Sequence, residues 1–350
     1  MSVKKVQVET GKGLKSITLK PTVRCNANCV FCEQRLDHYK KTSNKIDIAF
    51  DDWTKIVDEA ISLGIKSVNI SGGEPTLYPR LIDLIKACKA KSVEVNLKSN
   101  GYLIDKNFAK KLALANLDSC TISIYSHSES VHDKIKSIKG SHKAAVNALK
   151  CLAEEGIDTY LQTVLTREML GSFDKYLKWA VSLKVDVLFV SYLEGNGNVS
   201  KPNEYEIKDF VNNIVPKSKE ILKKSLANEP LLLEEGLNTL DGLFDFREIS
   251  HGQIAKGVYN LTTLKGCGRN HSMAILLSNG EIHPCNAVEY FHMPIAGDLN
   301  QISLTEAWNS EIWEKVKKGG PGWCKICPMN RHTSIKFKKD VDINAFYSTP

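Results

Sequence analysis

No stretch of this 350-residue chain approaches the roughly 18 uninterrupted apolar residues that a membrane span requires. Its start, Met1-Ser2-Val3-Lys4-Lys5-Val6, lacks the apolar core of a secretory signal, so a cytoplasmic protein without a membrane partner is expected. Glycine and proline are sparse, 22 and 11 residues, which excludes a collagen-like or low-complexity chain. No block of one charge sign occurs either. Lysine dominates the basic residues but is spread out, and 47 basic against 40 acidic residues leave only +7. That balance describes a solvated surface and not a nucleic-acid footprint. Ten cysteines fall far below the roughly 8–10% of a small disulfide scaffold. What remains, 42% hydrophobic and 25% charged, is ordinary globular composition.

The cysteines that are present fall into groups. Cys25, Cys29 and Cys32 cluster near the start, and Cys267, Cys285, Cys324 and Cys327 lie in the last quarter. In a reducing compartment, grouped thiols more often hold metal than form disulfides. Cys88, Cys120 and Cys151 are scattered singly among apolar neighbours and read as small buried hydrophobes.

Short β-type runs alternate with longer helical patterns over the first two thirds. Strands are predicted at 16–22, 67–71, 93–99, 120–125, 160–166 and 187–193, and helices at 51–63, 79–89, 106–114, 142–155 and 172–183. Repeated strand–helix units imply parallel strands joined by right-handed crossovers. Six units make an open or partial barrel, since a full eight-fold barrel needs about 250 residues. Further helices are predicted near 204–227 and 237–246. From residue 263 the texture changes: 273–284 reads as a β-hairpin around Asn279-Gly280, and Ser303 with Glu306 is a capping-box match opening a helix to about 318. The fold class expected is α/β: a partial (β/α)6 TIM-like barrel over 1–230, then a linker helix and a small α+β domain over 231–350. That second core looks thin, which fits a domain held partly by metal.

Two motifs carry chemistry. Cys25-Asn26-Ala27-Asn28-Cys29-Val30-Phe31-Cys32 directly follows the first predicted strand. Three thiolates in one loop can hold three irons of a [4Fe–4S] cluster and leave the fourth open to a ligand. A zinc site is the alternative; it needs a fourth ligand, for which His38 is conceivable. Gly72-Gly73-Glu74-Pro75 follows the second predicted strand; glycines allow close approach to the backbone, and Glu74 supplies a carboxylate suited to an ammonium group. Both motifs lie at the C-terminal ends of predicted parallel strands, where α/β barrels place active sites.

Together these motifs resemble the radical S-adenosylmethionine (SAM) superfamily. The resemblance implies that Cys25, Cys29 and Cys32 hold the cluster and that the methionine end of SAM chelates its open iron. It implies that Gly72, Gly73, Glu74 and Pro75 contact the SAM amino group and that Phe31 packs near the adenine. Ser99 and Asn100, after the third strand, and Ser123, on the fourth, match positions that touch the cofactor; Tyr125-Ser126 stands where many relatives have Asp-Gly. Lys136, in His132-Asp133-Lys134-Ile135-Lys136, stands where some relatives use arginine for the cofactor carboxylate. The late set, Cys267, Cys285, Cys324 and Cys327, resembles the SPASM or shortened "twitch" extension, which implies one auxiliary [4Fe–4S] cluster. A four-thiolate zinc site has similar spacing. His271, His283 and His292 read as surface residues of the hairpin region.

The resemblance implies an oxidoreductase that cleaves SAM to a 5′-deoxyadenosyl radical, abstracts hydrogen from its substrate and draws electrons from a low-potential donor, flavodoxin or ferredoxin. An auxiliary cluster is a plausible acceptor for a second electron, and none of Cys88, Cys120 and Cys151 is placed to donate hydrogen. Net oxidation is therefore favoured over epimerisation. Only 24 residues precede Cys25, which tilts the substrate toward a small polyol, amino sugar or aminocyclitol; a short peptide (crosslink, thioether or epimerisation) is the alternative. Thr163, Arg167, Tyr192 and Glu194 are candidate substrate contacts. No catalytic residue is identifiable.

Overall fold

The computed structural model describes residues 13–32, 48–164, 166–183, 186–190, 202–228, 231–233, 272–284, 295–317 and 333–337. Six consecutive strands form its parallel centre: β1 (Ser16–Lys20), β2 (Ser67–Ile70), β3 (Glu94–Ser99), β4 (Ser119–Ser123), β5 (Asp158–Val164) and β6 (Asp186–Val190). Each pairs in parallel with the next, from Ile17 opposite Val68 to Leu161 opposite Val187. The six strands expected from periodicity are thus present, each within a few residues of its predicted bounds.

Helices fill the crossovers: α1 (Phe50–Ser62), α2 (Leu81–Lys89), α3 (Lys106–Leu114), α4 (Glu129–Lys136), α5 (Ser141–Glu154), α6 (Arg167–Leu170) and α7 (Phe173–Ser182). Their buried residues repeat at helical spacing; α1 buries Trp53, Ile56, Val57 and Ala60. Strand interiors interlock with them through Ile17, Val68, Val95, Leu97 and Leu161, all fully buried. Each such side chain contributes about 1.5–3 kcal/mol. Beyond β6 come α8 (Glu204–Asp209), a π-turn at Phe210–Ile214 and α9 (Val215–Asn228), so the helix expected at 204–227 is interrupted. α4 and α6 were not anticipated, because both are short and α4 is polar on most of its surface. The helix expected at 237–246 lies outside the described residues.

The sheet does not close. Its order is β10-β9-β8-β1-β2-β3-β4-β5-β6-β11-β7, where β7 is Leu231–Leu233, β8 Met273–Leu277, β9 Glu281–His283, β10 Gly297–Asp298 and β11 Thr333–Phe337. The predicted hairpin exists as β8–β9, and β8 pairs in parallel with β1, Ile17 opposite Ala274. Late residues Leu276, Ile282, Leu304, Ala307, Trp308 and Trp313 join the same hydrophobic cluster as Ile17 and Trp53. The described part of this segment therefore packs on the parallel sheet. The helix opened by Ser303 breaks into α10 (Leu304–Trp308) and α11 (Glu311–Lys317), with the capping box formed. Among the described residues, no helix is long and apolar enough to cross a membrane.

Candidate functional site

The residues singled out by motif gather at the C-terminal ends of β1 to β4. Parallel strands in register put every such end on one rim, which converts sequence order into proximity. The glycines serve backbone contact. Gly73 N–H donates to the Thr22 carbonyl and Glu74 N–H to the Arg24 carbonyl, both at 2.8 Å. Gly72 has φ of +124°, and a Cβ there would stand 2.6 Å from the Thr22 oxygen; one on Gly73 would run into the Arg24 carbonyl. The close approach that these glycines permit is therefore that of the chain entering the cysteine loop. Pro75 is buried and opens the 3₁₀ turn Pro75–Leu77.

Glu74 is buried, and its carboxylate is held rigidly. Oε1 accepts from the Ser99 hydroxyl at 2.7 Å and from the backbone N–H and hydroxyl of Thr76 at 3.1 and 2.7 Å. Oε2 accepts from the Asn100 N–H at 2.7 Å. Ser99 and Asn100 thus anchor the carboxylate. Asn100 reaches further: its side-chain nitrogen donates to Asn26 Oδ1 in the cysteine loop at 2.7 Å.

From the other side the loop is held by the end of α4. The last carbonyls of a helix lack intrahelical partners. Here the Ile135 carbonyl accepts from Val30 N–H at 2.9 Å and the Lys136 carbonyl from Asn28 N–H at 3.1 Å. The Lys136 side chain is buried, its Nζ 5.1 Å from the Tyr125 ring centre. Burial holds its pKa below the ordinary lysine value, against the opposing pull of Cys29, Glu74, Cys25 and Cys32. All three thiols and the carboxylate therefore stand within electrostatic reach of one buried ammonium group. Cys25 is exposed, and Cys29 and Cys32 are half-buried. Three thiols on one loop are the donor set of a cluster bound through three irons, although no three His, Cys, Asp or Glu side chains among the described residues are drawn together as a metal-ion site.

Phe31 packs edge-on against Tyr125, ring centres 4.9 Å apart, in a small apolar group with Ile135 and Val164. Ser123 is half-buried, and burial raises the Tyr125 pKa well above the tyrosine value. Tyr125 stacks on His132 at 5.8 Å, and its N–H donates to His132 Nδ1 at 3.0 Å. Tyr125, His132, Thr76 and Asn26 were missed from sequence. Only Tyr125 carried a signal, as a departure from the Asp-Gly pattern.

Other expectations fare unevenly. Thr163 is buried and donates to the Met169 sulfur at 3.3 Å, while Arg167 pairs with Glu206 at 2.6 Å. Both have protein partners. Tyr192, Glu194, His38, His271, His292, Cys267, Cys285, Cys324 and Cys327 lie outside the described residues. His283 is a correction: it is buried, not on the surface, because β9 is covered on both faces, and its Nε2 lies 3.1 Å from Glu281 Oε2. Cys88, Cys120 and Cys151 are buried as expected. Burial raises all three thiols, that of Cys88 to about 12, which makes them inert.

The chain is similar to known proteins over most of its length. The profile of the radical SAM superfamily matches residues 19–180, and that of an iron–sulfur cluster-binding domain, SPASM, matches 267–328. The PqqA peptide cyclase of Gluconobacter oxydans is 23% identical over 319 residues, covering 89% of this chain and 82% of that protein. The AdoMet-dependent heme synthase of Methanosarcina barkeri is 24% identical over 322 residues, 87% of this chain and 88% of that one. Among solved structures, Streptococcus suis SuiB bound to S-adenosylmethionine superposes with a TM-score of 0.64 at 19% identity, covering 91% of this chain and 72% of that one. anSMEcpe with bound AdoMet gives 0.60 at 17%, covering 89% and 88%. At these identities the structural likeness speaks for the fold.

Proposed function

The chain belongs to the radical SAM superfamily and carries a C-terminal SPASM domain, and from that premise we propose which residues hold its cofactors and what it does to its substrate. Its cofactors are a [4Fe–4S] cluster, SAM and an auxiliary iron–sulfur cluster. When bound, the first cluster and SAM together supply a 5′-deoxyadenosyl radical able to take hydrogen from an unactivated carbon.

Cys25, Cys29 and Cys32 are the ligands of that first cluster. The methionine end of SAM is a zwitterion, and the rim offers an opposite charge for each half: Glu74 for the ammonium and Lys136 for the carboxylate. The observation that supports this reading is that Glu74 and Lys136 are both buried on residues whose backbones hold the cysteine loop, Glu74 N–H at the Arg24 carbonyl and the Lys136 carbonyl at Asn28 N–H. Ser99, Asn100 and Thr76 keep Glu74 from turning, and Gly72, Gly73 and Pro75 set its height above β2. Phe31 and Ser123 line the adenosine side through Tyr125. Preorganised charges of this kind cost no reorganisation when the cofactor docks.

Cys267, Cys285, Cys324 and Cys327 are assigned to the auxiliary cluster, as acceptor of a second electron in a net oxidation. The inert thiols of Cys88, Cys120 and Cys151 support oxidation over epimerisation, since a thiol facing the substrate is what inversion would need. A low-potential flavodoxin or ferredoxin is the electron donor, in keeping with a cytoplasmic setting. For the substrate, similarity to the PqqA peptide cyclases of several organisms favours a peptide. A small polyol, amino sugar or aminocyclitol is the other candidate. Reactions of the reconstituted holoenzyme with deuterated candidates of both classes separate them, read by mass spectrometry as deuterium in 5′-deoxyadenosine. A product two hydrogens lighter supports oxidation; solvent hydrogen at an inverted carbon overturns it.

A further inference from the structure

Asn26, next to the first cysteine of the loop, carries a buried amide nitrogen with no hydrogen-bond partner among the described residues. That this atom is nitrogen and not oxygen follows from a relay beginning at a backbone amide. The Tyr102 N–H can only donate, and it donates to Asn100 Oδ1 at 2.8 Å. The other terminal atom of Asn100 is then its nitrogen, which donates to Asn26 at 2.7 Å. Asn26 must answer with Oδ1, which turns its two N–H donors the other way. Leaving such a buried group unpaired costs on the order of 1–3 kcal/mol.

The acceptors that the assigned cofactor brings to this loop are sulfurs. We propose that Asn26 Nδ2 donates a hydrogen bond to the sulfur shell of the [4Fe–4S] cluster, either the Cys25 thiolate or a cluster sulfide. The inference rests on the assignment of that cluster to Cys25, Cys29 and Cys32. Hydrogen bonds to sulfur stabilise the reduced, more negative state and raise the reduction potential. Asn100 aims the donor, and its own N–H holds Glu74. One residue therefore orients both the carboxylate assigned to SAM and the amide assigned to the cluster.

The test is an EPR-monitored redox titration of the reconstituted full chain without SAM, following the signal that in a parallel sample responds to SAM. Wild type is compared with Asn26→Ala and Asn100→Ala, with iron and sulfide measured in each. For Asn26→Ala the ratio of reduced to oxidised cluster at a fixed potential should fall about tenfold, a midpoint about 59 mV more negative for one electron. The strongest exchangeable-proton coupling of the reduced cluster, found by comparing H₂O with D₂O, should vanish with it. Asn100→Ala, which leaves the amide in place but releases it, should shift the ratio the same way by less. An unchanged midpoint and coupling in Asn26→Ala at full iron content overturns the proposal. So does a shift seen only with SAM present, which would assign the amide to the cofactor. If Asn26→Ala takes up no iron, Asn100→Ala decides by the same two readouts. A wild type whose cluster ignores SAM would remove the proposed function as well, whereas a responsive wild type beside unshifted variants removes this inference alone.

Discussion

The loop of Cys25, Cys29 and Cys32 is fastened by backbone, Thr22 and Arg24 to the Gly72–Glu74 turn and Asn28 and Val30 to the end of α4, together with the Asn100–Asn26 side-chain link. The β8–β9 hairpin, which leads in sequence to Cys285, is also fastened by backbone, Leu299 N–H donating to the Gly280 carbonyl at 2.7 Å, but side chains crowd its turn. It lies against β1, and side chains brace its turn: Asn300 donates to the Asn279 carbonyl at 3.0 Å, while Asp298 and Asn300 crowd Gly280. Backbone-on-backbone fastening fixes a loop to within tenths of an ångström but leaves nothing able to yield. Side-chain bracing gives way more cheaply. The turn at Gly73 thus faces backbone alone, whereas the turn at Gly280 faces side chains that can yield.

The sharpest break of that comparison comes from the ligands themselves. Cys29→Ala should abolish 5′-deoxyadenosine formation and cut iron from about eight to about four atoms per chain. Cys324→Ala should lose a similar amount of iron yet still cleave SAM. Equal cleavage by the two variants, measured by chromatography of 5′-deoxyadenosine, would falsify the division of labour. Next in size is a pair of glycine substitutions. Gly73→Ala drives a methyl group into the Arg24 carbonyl and should cost about 3 kcal/mol in urea unfolding. Gly280→Ala meets mainly the ends of Asn300 and Asp298, at a φ of +93°, and should cost about 1 kcal/mol. The reverse order would refute the contrast in stiffness.

Below the cost of Gly73→Ala stands Glu74→Gln. Its amide loses the charge and turns one N–H₂ toward donors that now face a carboxylate, so SAM should bind between tenfold and a hundredfold more weakly, about 1.4–2.7 kcal/mol by calorimetry. Unchanged affinity would take Glu74 out of the cofactor site. The smallest effect is pH-dependent. Burial first, then Lys136 and His142, hold the His132 pKa down to about 2, against an ordinary 6.5. Below pH 6.5 the unfolded chain binds a proton that the folded ring refuses, so stability falls as pH drops. His127 and His142 are lowered in the same direction and steepen the slope. His132→Gln should recover about 1 kcal/mol of the loss between pH 6 and 5. An unaltered slope in urea midpoints would mean that the ring is not held neutral.

Much of the fold is legible in the chain because helix and strand periodicities are local. Residues 93–99 alternate as a strand, and β3 runs Glu94–Ser99. The ligand loop and the Gly-Gly-Glu-Pro turn are legible for a related reason: each is a short segment at a strand end, and parallel register does the rest. What escaped depends on partners far away in sequence. Lys136 is buried because α4 folds over a loop more than 100 residues earlier, which no local pattern encodes. His283 is covered because its hairpin docks on β1, some 250 residues distant. Asn26 gained meaning only once Asn100 was seen to orient it.

The most direct test is EPR of the reduced, anaerobically reconstituted protein before and after SAM is added. Binding of the cofactor's methionine end should alter the g-values of one cluster, and Cys29→Ala should abolish that response. Spectra that superimpose with and without SAM would contradict the assignment of Cys25, Cys29 and Cys32 to a SAM-binding cluster.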